Sequence, residues 1–307
     1  MAVLVTGGSG FLGRRLIQKL LSNGETVIAT SRNTKTQTQT SNLFWHEVNQ
    51  NDFDNWDDLL PGVTRVYHLA WSTVPKSAAE DPIMDAQSNV MGSLRLLQGI
   101  RNRGKIRVIF TSSGGTVYGN LEKAPAQECD RTSPISAYGA AKLAVEQYIQ
   151  QMSYEGFLTG IILRISTIYG PAQSPVPGFG AIHNWCRQAL LGEPAIIYGG
   201  GTQVRDYIYI DDAVNAILRC SQIDEPSILN IGSGRGHSAM EVIRIIERLV
   251  GHPLTLDFRP ARPFDASVSI LDISRARAKV DWKPEIALEE GIEQVLSWLR
   301  SENNLHR

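Results

Sequence analysis

The stretch VLVTGGSGFLG, residues 3–13, decides how the chain is read. A β-branched run at 3–6 leads into a glycine-rich turn, and a helical pattern opens at Phe11. The glycines satisfy both G-x-G-x-x-G (Gly8, Gly10, Gly13) and G-x-x-G-x-x-G (Gly7, Gly10, Gly13). In a strand–turn–helix context that spacing has a mechanism. Glycine lets the backbone turn tightly and approach a pyrophosphate, whose charge the free N–H groups of the helix N-terminus receive. Gly7, Gly10, Phe11, Leu12 and Gly13 are therefore the expected dinucleotide contacts.

Working outward, strand-like runs recur at 26–30, 65–70, 106–111 and 160–164, and helix-like stretches at 11–21, 83–103 and 137–152. The alternation predicts an α/β fold, a doubly wound Rossmann-type parallel sheet. After Gly170 the rhythm breaks. Pro171, Pro175, Pro177 and Gly178 mark a loop, and shorter elements follow. The expected division is a dinucleotide-binding domain of residues 1–170 plus about 206–230, and a smaller α+β substrate-binding lobe of 171–205 plus about 231–307. The polar run TKTQTQT at 34–40 reads as a surface loop.

Composition narrows the class. Among 307 residues the net charge is −1, which gives no electrostatic case for nucleic acid or an anionic membrane. Three scattered cysteines, Cys129, Cys186 and Cys220, fit a reducing cytoplasm better than a disulfide framework. No apolar run reaches the roughly 18 residues of a membrane span. The first strand starts at Ala2 or Val3, so no signal peptide is expected, and the expected location is cytoplasmic. The six histidines show no ligand spacing, so no metal site is expected.

Sites for NAD usually carry Asp or Glu about 20 residues past the glycines, on the ribose 2′-OH. Here the second strand ends Thr30-Ser31-Arg32-Asn33, with no carboxylate. Arg32, helped by Lys35, suits a 2′-phosphate. NAD and NADP both stay open, with Arg32 favouring NADP. Of nine tyrosines only Tyr138 has a lysine four residues on, Lys142. That spacing places both side chains on one helix face. An ammonium beside a phenol lowers its pKa, so Tyr138 is a candidate acid/base toward a substrate hydroxyl, and Lys142 a candidate ribose ligand.

In order along the chain come the glycine loop, HLA at 68–70, Asn89 and Gly92 in NVMGSLRLL, SSGGTVYG at 112–119, and the Tyr138–Lys142 pair. They are followed by LRISTIYGP at 163–171, RDYIYIDD at 205–212, NIGSG at 230–234 and RPFD at 262–265. With these motifs the sequence resembles the extended short-chain dehydrogenase/reductases, and within them the nucleotide-sugar epimerases and dehydratases. The resemblance covers nearly the whole chain. It implies Tyr138 as catalytic acid/base, Lys142 as its electrostatic partner and ribose ligand, and Leu69, Ala70, Asn49 and Asn89 on the cofactor. It also implies Arg205 and Arg262 on a sugar-nucleotide diphosphate, which suits bidentate guanidinium groups, with Val117 and Tyr118 lining the cleft.

Departures are visible. Counting back from Val117-Tyr118-Gly119 puts Gly114 where the family carries its catalytic Ser or Thr, so that hydroxyl comes from Ser113 or Thr116, or is absent. Thr167 stands where many relatives have a substrate-touching Asn, Asn49 where many have an adenine-binding Asp, and Phe264 where Gly is usual. Dehydratases of the family place Asp-Glu at the positions of Gly115 and Thr116, so dehydration is not expected. What remains is hydride transfer with Tyr138: a 4-epimerase acting on a UDP-hexose or UDP-N-acetylhexosamine, or an NADPH-dependent 4-keto sugar reductase. A non-catalytic dinucleotide-binding protein is the reading from another class.

Seven residues after Arg262 lies Ser269, where relatives restricted to plain hexoses have a Tyr. The resemblance implies room there for an N-acetyl group. It also implies a homodimer through the helices at 83–103 and 137–152, with Val90, Leu94 and Leu97 on one and Leu143 and Val145 on the other.

Overall fold

The computed structural model describes residues 2–101, 103–104, 106–174 and 179–305. The turn expected at Pro175, Pro177 and Gly178 lies outside the described residues, as does position 102 of the expected 83–103 helix. Thirteen strands are described. The first seven are β1 (Ala2–Thr6), β2 (Thr26–Ser31), β3 (Leu43–Glu47), β4 (Val63–His68), β5 (Ile106–Ser113), β6 (Leu158–Ile165) and β7 (Thr167–Tyr169). The rest are β8 (Ala195–Tyr198), β9 (Val204–Tyr209), β10 (Ser227–Ile231), β11 (Gly236–Ser238), β12 (Leu256–Arg259) and β13 (Val268–Ser269).

The helices begin with α1 (Phe11–Ser22), α2 (Trp56–Leu59), α3 (Pro75–Glu80) and α4 (Pro82–Asp85). A π-helical turn at Ala86–Met91 runs into α5 (Gly92–Arg101), and α6 (Ala137–Tyr154) follows. Then come α7 (Ala181–Leu191), α8 (Ile210–Cys220), α9 (Ala239–Val250), α10 (Ser274–Val280) and α11 (Leu288–Leu305).

The large sheet is parallel throughout, in the order β10-β6-β5-β4-β1-β2-β3. The period-2 alternation of a strand explains its two cores. Val3 and Val5 pack with Leu16, Ile17 and Leu20 of α1 and with α8. Leu4, Val66, Val108 and Ile162 face the other way, onto Leu96, Leu97 and Ile100 of α5 and Val145 and Ile149 of α6. Both faces are covered, as a doubly wound fold requires. Strand order reverses between β1 and β4, and ligands of such sheets bind beyond the carboxyl ends of the strands at that point. The small sheet is built around β9, which pairs with β7, β11 and β13, while β12 pairs with β8.

The single helix expected at 83–103 is instead three pieces. Asp81 caps the N-terminus of α4 by accepting from the Met84 N–H, and the chain then widens into the π turn around Asn89. A cause is visible: the Asn89 side chain is drawn into bonds with the loop after β4 (described below), and the Ser93 Oγ donates to the Asn89 C=O at 2.5 Å. Such turns commonly mark functional positions. The apolar stripe expected to meet a partner chain is also corrected. Leu97 and Val145 are in the core, Val90 and Leu94 pack against it, and Leu143 packs against Val117, Tyr118 and Leu271. Val90, Leu94, Leu97 and Val145 face the sheet, the larger apolar surface within reach, and Leu143 faces the turn after β5 instead. The outward apolar residues are Ile83, Met84, Met91, Tyr148 and Tyr154. Among the described residues no helix is long and apolar enough to cross a membrane.

His68 ends β4 inside the core at 1% exposure. Its ring accepts or donates at 2.8 Å to both Thr6 Oγ1 and Ser93 Oγ and stacks on Phe110. Burial, and then the Lys142 charge, push its pKa down to about 3. A histidine neutral when folded and ordinary when unfolded contributes stability fully above about pH 6.5, and that contribution is lost as pH falls toward 3. Between pH 7.5 and 5.5 the unfolding free energy is expected to drop by about 1.4 kcal/mol from this group. Denaturant unfolding of the wild type and His68→Gln at both pH values checks it, since the substituted protein should lack that part of the drop.

Candidate active site

The glycine turn is built for close approach. Gly7 has φ +70°, and a Cβ there would lie 2.8 Å from the Ala70 Cα. One on Gly13 would lie 2.3 Å from the Gly7 carbonyl oxygen. The first helix can thus press onto the turn, and the turn onto the end of β4, where the Ala70 N–H reaches Thr6 Oγ1 at 3.2 Å. Gly10 is the N-cap of α1. It supplies no side-chain cap, and the first turn holds no acidic residue. The N–H groups there keep their pull on an anion. Phe11 and Leu12 pack partly against the core, and Phe11 reaches the loop after β7, its Cζ 3.6 Å from where a Gly170 Cβ would lie. Sequence reasoning thus placed Gly7, Gly10, Phe11, Leu12, Gly13, Leu69 and Ala70 at one point of the fold. Arg32 and Lys35 lie just beyond β2 and are exposed. The Ser31 Oγ beside Arg32 is bonded to Ser9 Oγ of the turn at 2.8 Å. Asn49 is exposed, its Oδ1 taking the Asn51 N–H at 3.4 Å.

Tyr138 and Lys142 stand on the first turns of α6, which Ser136 caps by accepting from the Gly139 N–H at 3.1 Å. The expected lowering of the Tyr138 pKa is not met. The phenol is pushed up, by burial first and then by the Asp85 charge. The reason is where Lys142 points. Its Nζ donates to the Thr111 C=O at 2.8 Å and lies 3.7 Å from the centre of the Trp71 ring, against 5.8 Å for the Tyr138 ring. Burial pushes the ammonium itself down to about 7, with Glu146 and Asp85 working the other way.

Asp85 and Trp71 were not picked out from the sequence. Asp85 is 1% exposed and bonds to Thr73 Oγ1 and to the Asn89 side-chain amide. The signal available was its place four residues before Asn89, the spacing that puts two helical side chains together. Asn89 also donates to Thr73 Oγ1 at 2.9 Å and accepts from the Ser72 N–H at 2.8 Å. Its amide is committed to the 71–73 loop, so it acts on the cleft by shaping that loop.

The turn after β5 carries the other candidates. Thr116 Oγ1 makes a long contact to the Ser113 C=O, 3.4 Å, and the Thr116 carbonyl lies 2.8 Å from where a Gly139 Cβ would sit, so this turn packs against the start of α6. A Cβ on Gly114 would come within 2.5 Å of Leu271 Cδ1. The space a Ser or Thr would use is filled by Leu271, which accounts for glycine at that position. A Cβ on Gly115 would find room, with Ser269 Oγ at 3.7 Å and Ser113 Oγ at 3.9 Å. Val117 and Tyr118, expected to line the cleft, are buried in packing, the Tyr118 hydroxyl donating to Asn230 Oδ1 at 2.7 Å.

From the smaller lobe, Ser269 of β13 sits opposite Arg205 of β9 in register. Next to Arg205, Asp206 is fully buried and accepts from the N–H groups of Ser233, Gly234 and Leu271, which ties two other segments to one carboxylate. Burial holds the Arg205 pKa below its usual value, partly offset by the Asp265 charge. Arg262 bonds Asp265 at 2.6 Å and lies between the rings of Tyr198 and Phe264, at 4.5 and 5.3 Å. Phe264 is thus placed against the Arg262 guanidinium. Thr167 starts β7, paired to Tyr207 of β9. Among the described residues no cluster of His, Cys, Asp and Glu suited to a metal ion is found.

Residues 3–232 match a family model described as NAD dependent epimerase/dehydratase family. The UDP-glucose 4-epimerase of Mycolicibacterium smegmatis is 32% identical, the match covering 99% of this chain and 100% of that protein. The crystal structure of UDP-glucose 4-epimerase from Thermotoga maritima with UDP-glucose superposes with a TM-score of 0.94 at 33% identity, over 99% of this chain and 100% of that one. The Thermus thermophilus UDP-glucose 4-epimerase complex with NAD gives 0.91 at 30% identity, over 98% and 99%. This chain belongs to the NAD dependent epimerase/dehydratase family.

Tyr138→Phe is expected to leave the fold and cofactor affinity nearly unchanged and to lower kcat by about 100-fold or more, the scale for a positioned acid/base. Steady-state rates beside a direct cofactor titration of the purified protein check it. Near-normal turnover would remove Tyr138 from the chemistry.

Proposed function

We propose that this chain is an NAD-dependent nucleotide-sugar 4-epimerase acting on a UDP-hexose or UDP-N-acetylhexosamine. The observation that carries the reading is the turn at 113–116. It packs on the first turn of α6 and offers hydroxyls and bare glycine backbone, with no carboxylate. Dehydration needs a carboxylate at this turn; interconversion at C4 needs a proton moved at the hydroxyl and a hydride exchanged with a bound cofactor, neither of which calls for a carboxylate here. The buried carboxylates Asp85 and Glu146 are held elsewhere, Asp85 by Thr73 and Asn89 and Glu146 by Arg164 and Ser112.

The residues fit a nicotinamide dinucleotide. The Gly7–Gly13 contact leaves no room for a Cβ, and the uncapped N-terminus of α1 suits a pyrophosphate. When bound, the cofactor supplies the hydride acceptor and donor for C4 of the sugar. Tyr138 takes the proton of the 4-hydroxyl and returns it. Lys142 holds the ribose. Ser113 or Thr116 hydrogen-bonds the reacting oxygen. Arg205 and Arg262 grip the diphosphate, the second pre-shaped by Tyr198, Phe264 and Asp265. In this reading residues 1–170 with about 206–230 carry the cofactor, and 171–205 with about 231–307 carry the sugar nucleotide.

A second reading, a 4-keto sugar reductase using NADPH, draws on one observation. No carboxylate ends β2, and the exposed Arg32 there is suited to a 2′-phosphate. The outward apolar residues Ile83, Met84, Met91, Tyr148 and Tyr154 support a two-fold homodimer across α4–α6. One preparation tests these together. A UDP-sugar panel should give interconversion at C4 without added cofactor; activity only with added NADPH favours the reductase, and no activity overturns both. Mass analysis of released cofactor separates NAD from NADP, and light scattering at micromolar concentration should give a dimer, a monomer mass opposing it.

Ser269 is 6% exposed, and its Oγ lies 3.7 Å from where a Gly115 Cβ would sit. A small residue there leaves room for an N-acetyl group, whereas a ring refills it. Ser269→Tyr is expected to lower kcat/KM for UDP-N-acetylglucosamine by about tenfold or more, with UDP-glucose less affected. Parallel assays of the two sugars check it; a wild type that accepts no acetamido sugar overturns this account of the pocket.

A further inference from the structure

We propose that Trp71 is a positioning residue of the catalytic pair, its indole face holding the Lys142 ammonium in place and keeping it charged. The inference rests on reading Tyr138 and Lys142 as that pair. The Lys142 Nζ is 3.7 Å from the centre of the Trp71 ring, nearer than to Phe110 at 5.0 Å or Tyr138 at 5.8 Å. The same indole meets Tyr138 edge-on with centroids 5.9 Å apart, and leans on Phe110 at 6.1 Å. It is wedged between both members of the pair and the core.

An aromatic face attracts a cation through its quadrupole, tryptophan most strongly, and more so where water is excluded. Lys142 is 4% exposed, so that attraction acts with little screening. An ammonium has three N–H groups. The Thr111 C=O accepts one at 2.8 Å, the indole face meets a second, and the third is left for a ligand hydroxyl. The buried indole N–H of Trp71 has no hydrogen-bond partner among the described residues. No hydrogen bond through that N–H fixes the ring, so its packing does.

The charged and titratable groups facing Lys142 are Tyr138 and Glu146 on its own helix, Asp85 on α4 and His68 on β4. Glu146 is held by Arg164, Asp85 by Thr73 and Asn89, and His68 is neutral. The two carboxylates that help Lys142 are thus already shared. With burial pushing the ammonium down to about 7, it sits near half-protonation at neutral pH. A stabilisation of ordinary cation–π size then decides whether Lys142 is charged in the working protein.

The test reads the lysine directly. In protein labelled with 15N at lysine Nζ, the Lys142 signal is identified by its loss in Lys142→Arg, and its titration midpoint is followed by NMR. Trp71→Leu removes the aromatic face and keeps an apolar side chain, while Trp71→Phe keeps a weaker face. The midpoint is expected to fall by about one pH unit in Trp71→Leu, a tenfold change in the protonation constant, with Trp71→Phe recovering at least half of it. The alkaline limb of the kcat profile should move to lower pH by the same amount. An unchanged or raised midpoint in Trp71→Leu overturns the proposal. Should that variant fail to fold, Trp71→Phe decides alone: a smaller fall supports the proposal, and no fall overturns it. If the wild type interconverts no nucleotide sugar, the proposed function fails, and the titration still decides what the indole does.

Discussion

Arg164 and Glu146 form an ion pair almost wholly removed from water, with side-chain exposures of 4% and 0%. The guanidinium reaches the carboxylate through two nitrogens, at 3.1 and 2.7 Å to the same oxygen, and Ser112 donates to the other oxygen. Arg164 also donates to the Tyr118 hydroxyl at 3.0 Å, which in turn donates to Asn230. One buried pair therefore ties α6 to β6, to the end of β5 and to β10, the elements from which Tyr138, Lys142 and the 113–116 turn project. Such a pair is weak evidence for stability but strong evidence for placement. Losing one partner leaves a buried charge, at a cost of about 3–5 kcal/mol.

Around that anchor the site is shaped by close approach. The glycine turn, the first turn of α1 and the end of β4 sit nearer than side chains would allow, at Gly7 and Gly13. On the far side of the cleft Asp206 does comparable work with charge, gathering three backbone N–H groups from two segments. One rim is defined by missing side chains and the other by a carboxylate whose pKa burial raises, against the Ser233 hydroxyl and the backbone bonds that favour its charge.

The Tyr138–Lys142 part of the site lies in apolar surroundings. Trp71, Phe110 and Tyr138 enclose Lys142, and burial works against the charged form of both the amine and the phenol. The buried side chains nearby are polar but mutually satisfied: Thr6, His68, Ser93, Asn89, Thr73 and Asp85 form one hydrogen-bonded run. A satisfied network fixes geometry without absorbing the proton in play. The charges left to act on Tyr138 are then few and specific.

The sequence by itself determined the sheet, the phosphate turn and the family, because these depend on local rules: β-branched runs alternating with helical periods, glycine where a turn must be tight, and Tyr and Lys one helical turn apart. Other features needed the chain to be folded. The break of the 83–103 segment at Asn89 arises from side-chain bonds to residues 16 and 17 positions away. The reversal of the expected helix stripe follows from which surface was available to cover. Glycine at 114 is explained by Leu271, far along the chain. The pKa of Tyr138 went the opposite way because burial, and then the Asp85 charge, act on it while Lys142 turned to Thr111 and Trp71. In each case the deciding contact is between residues distant in sequence, and spacing along one chain carries no record of which distant side chain will fill a given space or share a given charge.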